Sequence, residues 1–212
     1  STFFVMGWPK DHRTRTYDII KTRFKKAFYK TQKNHNLGLH SSPLHTQNFR
    51  KLQLELTRVE KALDTTVIAS RQHYLFWNIR KTPQSQAKAG IRVDSTLGFN
   101  NRSGFRCGTS MPFQWYDLEN NTALDLIQMP LILADHQMGE EHWLYPDKIY
   151  NMAIEYIEQI KQVGGILSLL THDLYFSEVY QPKMFESHRK LLLKISNHAR
   201  LIQIQDLQAP LE

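Results

Sequence analysis

Two periods alternate along this chain. Short apolar runs, STFFVMG (1–7), HNLGLH (35–40), VIAS (67–70) and ILSLLTH (166–172), end at glycine or polar residues and read as strands, the last two buried, and IRVDSTLG (91–98) reads as strand then loop. Between them the spacing lengthens. Phe49, Leu52, Leu56, Val59 and Leu63 step by three and four, which lays them on one helix face, with Thr46 as the predicted cap. Ile149, Ala153, Tyr156, Ile157 and Ile160 mark a second helix stopped by Gly164-Gly165. Phe185, Leu192, Ile195 and Ala199 mark a last one, and RLIQIQDL (200–207) reads as a closing strand. Residues 14–34 read as a helix, Gly90 ends a brief one, and residues 99–111 read as loop. MPFQWYDL (111–118) and DLIQMPLILAD (125–135) flank Asn120-Asn121, which predicts a hairpin. Strand–helix alternation without a repeat or linker predicts one α/β domain over 1–212, built on a parallel sheet or barrel, with the hairpin as an insertion.

Composition narrows the class. With 41% hydrophobic and 22% charged residues the chain can form a packed core, which excludes a disordered polymer. A single cysteine, Cys107, excludes an internal disulfide and a multi-cysteine zinc site, and fits a cytoplasmic location. No run approaches the roughly 18 apolar residues of a membrane span. Ser1 is followed at once by Thr2-Phe3-Phe4-Val5 with no basic run, which is not a signal peptide and reads as a chain that starts inside a strand.

Net charge is +7, and residues 10–33 carry all of it. They hold nine bases (Lys10, Arg13, Arg15, Lys21, Arg23, Lys25, Lys26, Lys30, Lys33) and two acids (Asp11, Asp18), leaving 18 of each sign elsewhere. The stretch is either a solvated helix face or a contact for an anionic polymer. No zinc-finger, RNP or KH pattern accompanies it, so a specific nucleic-acid role is not expected.

Candidate chemistry gathers where strands end, as it does in parallel α/β folds. His40 ends NLGLH and His45 follows five residues later. His172 ends ILSLLTH and precedes Asp173; Arg71 follows VIAS; Asp94 ends IRVD; Arg106 lies in the glycine-containing loop. Neutral imidazoles are good ligands for zinc-like ions, but a catalytic ion needs a further ligand and an open position. Trp77, Phe99, Phe105, Phe113, Trp115 and Tyr116 fit core packing, or for one or two of them stacking on a sugar ring. No G-x-S-x-G, P-loop or G-x-G-x-x-G is present, which excludes the enzyme classes those motifs define.

In order, STFFVMG, GLHSSPLH, RQHYLFW, GIRVDSTLGF, GFRCGTSMPF and ILSLLTHD resemble the polysaccharide deacetylase-like proteins, the NodB-homology carbohydrate esterases, over nearly the whole chain. The resemblance looks strongest to a bacterial subgroup with the GLH, RQHYL, DSTLG and GFRCGT series. It implies a distorted parallel (β/α) barrel and a zinc-type divalent ion that assists removal of acetyl groups from N- or O-acetylated saccharide. Carried over by position, His40 and His45 are the metal ligands, His172 the general acid, Arg71 the residue that orients the catalytic carboxylate, and Asp94 an acid near the substrate. Arg106, Trp77, Phe105 and Tyr74 are the implied substrate contacts. Asp173 or Asp94 is the expected partner that tunes His172, and a buried Arg71 is expected to pair with Asp94. The chain departs from the pattern in two places. The histidine pair is five apart rather than four, and the adjacent Asp pair of the first motif, which supplies a base and a ligand, does not occur in residues 1–212. The chain therefore reads as N-terminally incomplete, lacking the first strand. The other reading is a catalytically silent glycan-binding or polysaccharide-assembly domain of the same fold.

Overall fold

The computed structural model describes residues 1–8, 18–138, 146–173, 178–179 and 181–208. Lys10, Asp11, Arg13 and Arg15 of the basic stretch lie outside the described residues. The chain divides into two compact units.

The first unit comprises residues 1–96, 113–129 and 203–212. Its six-stranded sheet has the order β1-β2-β3-β4-β6-β5, from β1 (Thr2–Val5), β2 (Asn36–Leu39), β3 (Ala69–Ser70), β4 (Val93–Asp94), β5 (Phe113–Asp117) and β6 (Thr122–Gln128). Every pair except β5–β6 is parallel. Gly38 of β2 sits opposite Phe4, and a Cβ there would lie 2.6 Å from the Phe4 ring, so the two strands approach only because this residue has no side chain.

Helices α1 (Thr22–Thr31), α2 (Phe49–Leu63) and α3 (Thr82–Ala89) belong to this unit. In α2 the three–four spacing buries Leu52, Leu56, Val59 and Leu63 in a core with Val5, Leu37, Leu39, Val67, Ile91 and Leu126. Burying each such side chain contributes about 1.5–3 kcal/mol, and a Leu52→Ala cavity would cost roughly 2–5 kcal/mol. The cap of α2 is Asn48, whose side chain accepts from Lys51 N–H at 3.1 Å. Thr46 is buried one half-turn too early to reach those N–H groups, and its hydroxyl bonds Pro43 O instead. Gly90 ends α3 at φ 95°, a conformation that favours glycine.

The structure revises three expectations here. The hairpin forms, with Asn121 at φ 49° in its turn, but β6 also pairs with β4 in parallel. It is thus a strand of the main sheet rather than an insertion. The run 125–135 also breaks after Gln128, because Pro130 has no N–H to continue a ladder. RLIQIQDL forms no strand. Ile204–Gln208 is a 3-10 turn that buries Ile204 and Leu207, three residues apart, and Asp206 accepts from Gln203 N–H at 2.8 Å.

The second unit comprises residues 97–112 and 130–202. Strands β7 (Leu133–Ala134) and β8 (Leu169–Leu170) pair in parallel. Leu133, Ala153, Ile157 and Leu191 form its core, where α4 (Pro146–Val163) packs on α5 (Pro182–His198). Among the described residues no helix is long and apolar enough to cross a membrane.

Candidate active site

His40 is the first residue past β2. Its N–H continues the ladder to Val5 O at 2.8 Å. Its Nδ1 lies 2.7 Å from the Arg71 carbonyl, which can only accept, so Nδ1 carries the proton and Nε2 carries the lone pair. The turn Ser41–Thr46 then brings His45 back onto α2. His45 Nδ1–H donates to Glu55 Oε1 at 2.6 Å, and the same wholly buried carboxylate accepts from Ser42 N–H. One buried anion therefore pins both the loop between the histidines and the second ring. Trp8 packs edge-on against His45 with centroids 5.5 Å apart. Glu55 was hidden in the sequence as one charged residue of a helix, although its position, three after Leu52, lies inside the apolar stripe.

Arg71 follows β3 and is 5% exposed. Its guanidinium donates to Ser95 O at 3.0 Å and Ser95 Oγ at 2.8 Å, and lies 4.6 Å over the Phe4 ring. It does not pair with Asp94, contrary to expectation. Asp94 ends β4 with no accessible surface, and neutral donors fill its carboxylate: Thr96 N–H and Oγ1–H, Gln86 Nε2 and Gln128 Nε2. Burial pushes its carboxyl up to about 6, against the opposing pull of those hydrogen bonds. Thr96 Oγ1 also accepts from Gln72 N–H, so the Asp94 cluster is tied to the backbone just after Arg71. That segment is strained. Tyr74 and Leu75 hold φ of 58° and 50°, left-handed values that cost a non-glycine residue free energy. The His73 ring lies edge-on to His40 at 4.9 Å and stacks on Tyr74 at 4.1 Å.

His172 belongs to the second unit. The parallel register Ala134↔Leu170 brings together the residues that follow β7 and β8. His172 Nδ1–H donates to Asp135 Oδ1 at 2.7 Å, and its backbone N–H donates to Asp135 Oδ2. Asp135, rather than Asp173 or Asp94, is thus the carboxylate that orients the ring. Its side chain is fully buried, while that of His172 is 49% exposed. Burial alone would raise the Asp135 carboxyl, but the His136 and His172 imidazoles and the His172 N–H outweigh it and hold the group ionised below the usual carboxylate range. The sequence carried a signal for Asp135: LILAD, like ILSLLTH, is an apolar run that stops at a polar residue.

Asp135, His136 and His172 are the one group of three potential ligands among the described residues, each offering an atom within 4.8 Å of the others. His40 and His45 belong to no such group there.

The expected substrate contacts fall in different places. Tyr74 is exposed; Trp77 is half-buried, edge-on to Trp115 at 5.3 Å. In the second unit Arg106 is exposed and donates to Gly98 O at 2.8 Å, while Phe105 packs edge-on to Tyr156 at 5.7 Å. Helix α1 buries no residue, and its cations Lys25, Lys26 and Lys30 form no ion pair with described residues.

No protein-family model matches the chain, and no curated protein does. A solved structure does match: the "putative polysaccharide deacetylase from Mycobacterium smegmatis" superposes with a TM-score of 0.69 at 16% identity, over 98% of this chain and 70% of that one. At that identity the likeness is one of fold.

Proposed function

We propose that this protein is a metal-dependent hydrolase that removes acetyl groups from N- or O-acetylated saccharides. The observation that carries the reading is His172: a half-exposed imidazole whose Nδ1–H is held by a buried, ionised Asp135. The likeness in fold to a protein described as a deacetylase supports it. An acetylated amine departs only if it is protonated, and an imidazolium stabilised by a carboxylate can supply that proton from Nε2 near neutral pH. Asp135 engages Nδ1–H, which assigns the transferable proton to Nε2.

The donor chemistry of His40 and His45 suits a zinc-type ion. Each ring has Nδ1 committed to an acceptor, the Arg71 carbonyl and Glu55, an arrangement that assigns the lone pair to Nε2 and resembles the outer shell of metal-bound histidines. A bound ion would polarise the acetyl carbonyl and lower the pKa of water. A carboxylate would take the proton of that water, a role the resemblance assigns to the Asp pair not contained in residues 1–212. Arg71, buried beside Ser95, would orient that carboxylate. Asp94 acts as a positioning residue, holding Gln72 through Thr96. Tyr74 offers an exposed ring for a sugar.

The test is acetate release from N-acetylated chito-oligosaccharide by the full-length protein supplied with one equivalent of zinc. Release should fall about 10²–10⁴-fold in His172→Ala and stop on chelation. Release that is unaffected by His172→Ala would overturn the reading, as would binding of the oligosaccharide with no release under any metal.

A further inference from the structure

The acid of this reaction sits in a donor set that can itself take a metal. Asp135 Oδ1 lies 2.7 Å from His172 Nδ1 and 3.7 Å from His136 Nδ1. Two ligands of a tetrahedral zinc, at about 2.0–2.1 Å from the ion, stand roughly 3.3–3.4 Å apart. The two observed edges bracket that spacing to within about 0.7 Å, and all three donor atoms lie within 4.8 Å of one another, so an ion would draw the set together by modest shifts. Two imidazoles and one carboxylate suit zinc-class ions and leave a coordination position open.

His136 supplies an independent pointer. Its Nδ1 is shielded from solvent and makes no hydrogen bond; the Asp135 carboxylate stands 3.7 Å away, close enough for charge attraction but beyond hydrogen-bond reach. Folded proteins rarely leave such an atom unmet. Asp135 contributes a buried negative charge at the same point. His172, half exposed, gives an ion a route in from solvent.

We propose that Asp135, His136 and His172 form a second, inhibitory zinc site, built from residues other than the donors His40 and His45. Binding stands on the geometry alone; the inhibitory consequence rests on the deacetylase reading. As an acid, His172 carries protons on both nitrogens, with Nδ1–H on Asp135. An ion that takes Nδ1 sends that proton to solvent, and Nε2 keeps its own. The product is a metal-bound neutral imidazole, whose Nε2–H is a far weaker acid than imidazolium. The leaving amine then finds no proton donor, and Asp135 is drawn from the ring to the ion. Scarce zinc would permit turnover and excess zinc would stop it.

The experiment is a calorimetric zinc titration of the whole chain, repeated with cobalt to read four-coordinate absorption bands. The His40→Ala/His45→Ala double variant should still bind an ion. His136→Ala should weaken that ion by at least about 10-fold, since even outer-shell changes cost 10–100-fold. His136→Gln, which keeps the side-chain bulk, should do the same with an unchanged circular dichroism spectrum. The site is refuted if wild type binds no ion at millimolar zinc, if both His136 variants bind as wild type does, or if the double variant binds none. In preparations that release acetate, excess zinc should inhibit wild type, and His136→Gln should need at least 10-fold more zinc for the same inhibition. Equal inhibition would refute the silencing of His172. If nothing releases acetate, the deacetylase reading fails while the titration still decides the site.

Discussion

Asp94→Asn separates the cost of a buried charge from the value of its hydrogen bonds. The carboxyl is fully enclosed and titrates at about 6 in the folded protein, against an ordinary value of 3.8. Below about pH 4 it is protonated in both folded and unfolded chains and burial costs it little. Above about pH 6 it is ionised in both, and the folded state bears the whole penalty. Between those values stability falls as pH rises, by about 3 kcal/mol for a shift of roughly two units. Asparagine removes that slope. It brings an N–H₂ where Oδ2 now accepts from Gln86 and Thr96. Both neighbours can adapt: Gln86 Oε1 is buried without a partner and can turn to accept, and the Thr96 hydroxyl can rotate. In urea titrations at pH 3 and pH 7, wild type should therefore lose about 3 kcal/mol relative to Asp94→Asn on going to the higher pH, with the variant at least as stable at neutrality. Equal slopes for the two proteins, or a variant destabilised by more than about 2 kcal/mol at pH 7, would refute this account of the cluster.

Glu55→Ala should destabilise the fold by about 3 kcal/mol, because Ser42 N–H and His45 both lose a buried acceptor; an unchanged urea midpoint would count against it. The same variant should lower zinc affinity at His40 and His45 by about 10–100-fold, read by titration in a His136→Gln background. The exposed α1 face should attract polyanions: Lys26→Glu/Lys30→Glu is expected to weaken polyphosphate binding and flatten its salt dependence, since fewer counterions are released. Unchanged slopes would leave α1 as a solvated face only.

Local order was legible in the residues themselves. The three–four spacing of Phe49 to Leu63 specified α2, Gly90 specified where α3 stops, and Asn120-Asn121 specified a turn, because each depends on neighbours within one or two helical turns or on one backbone angle. Which strand ends meet was a different matter. Asp135 and His172 lie 37 residues apart and touch because β7 and β8 pair in parallel in one register; a slip of one residue would turn either side chain to the opposite face. Arg71 was correctly read as buried, but its pairing with Asp94 failed because Thr96, two residues on, and Gln86 and Gln128, from two other segments, fill that carboxylate. The final segment had a strand's alternation and took a 3-10 turn, because in the fold the residues that must be buried are Ile204 and Leu207. Periodicity states which positions prefer to be dry. Only the packed structure decides which polar groups share the same dry space, and so which charges must find one another.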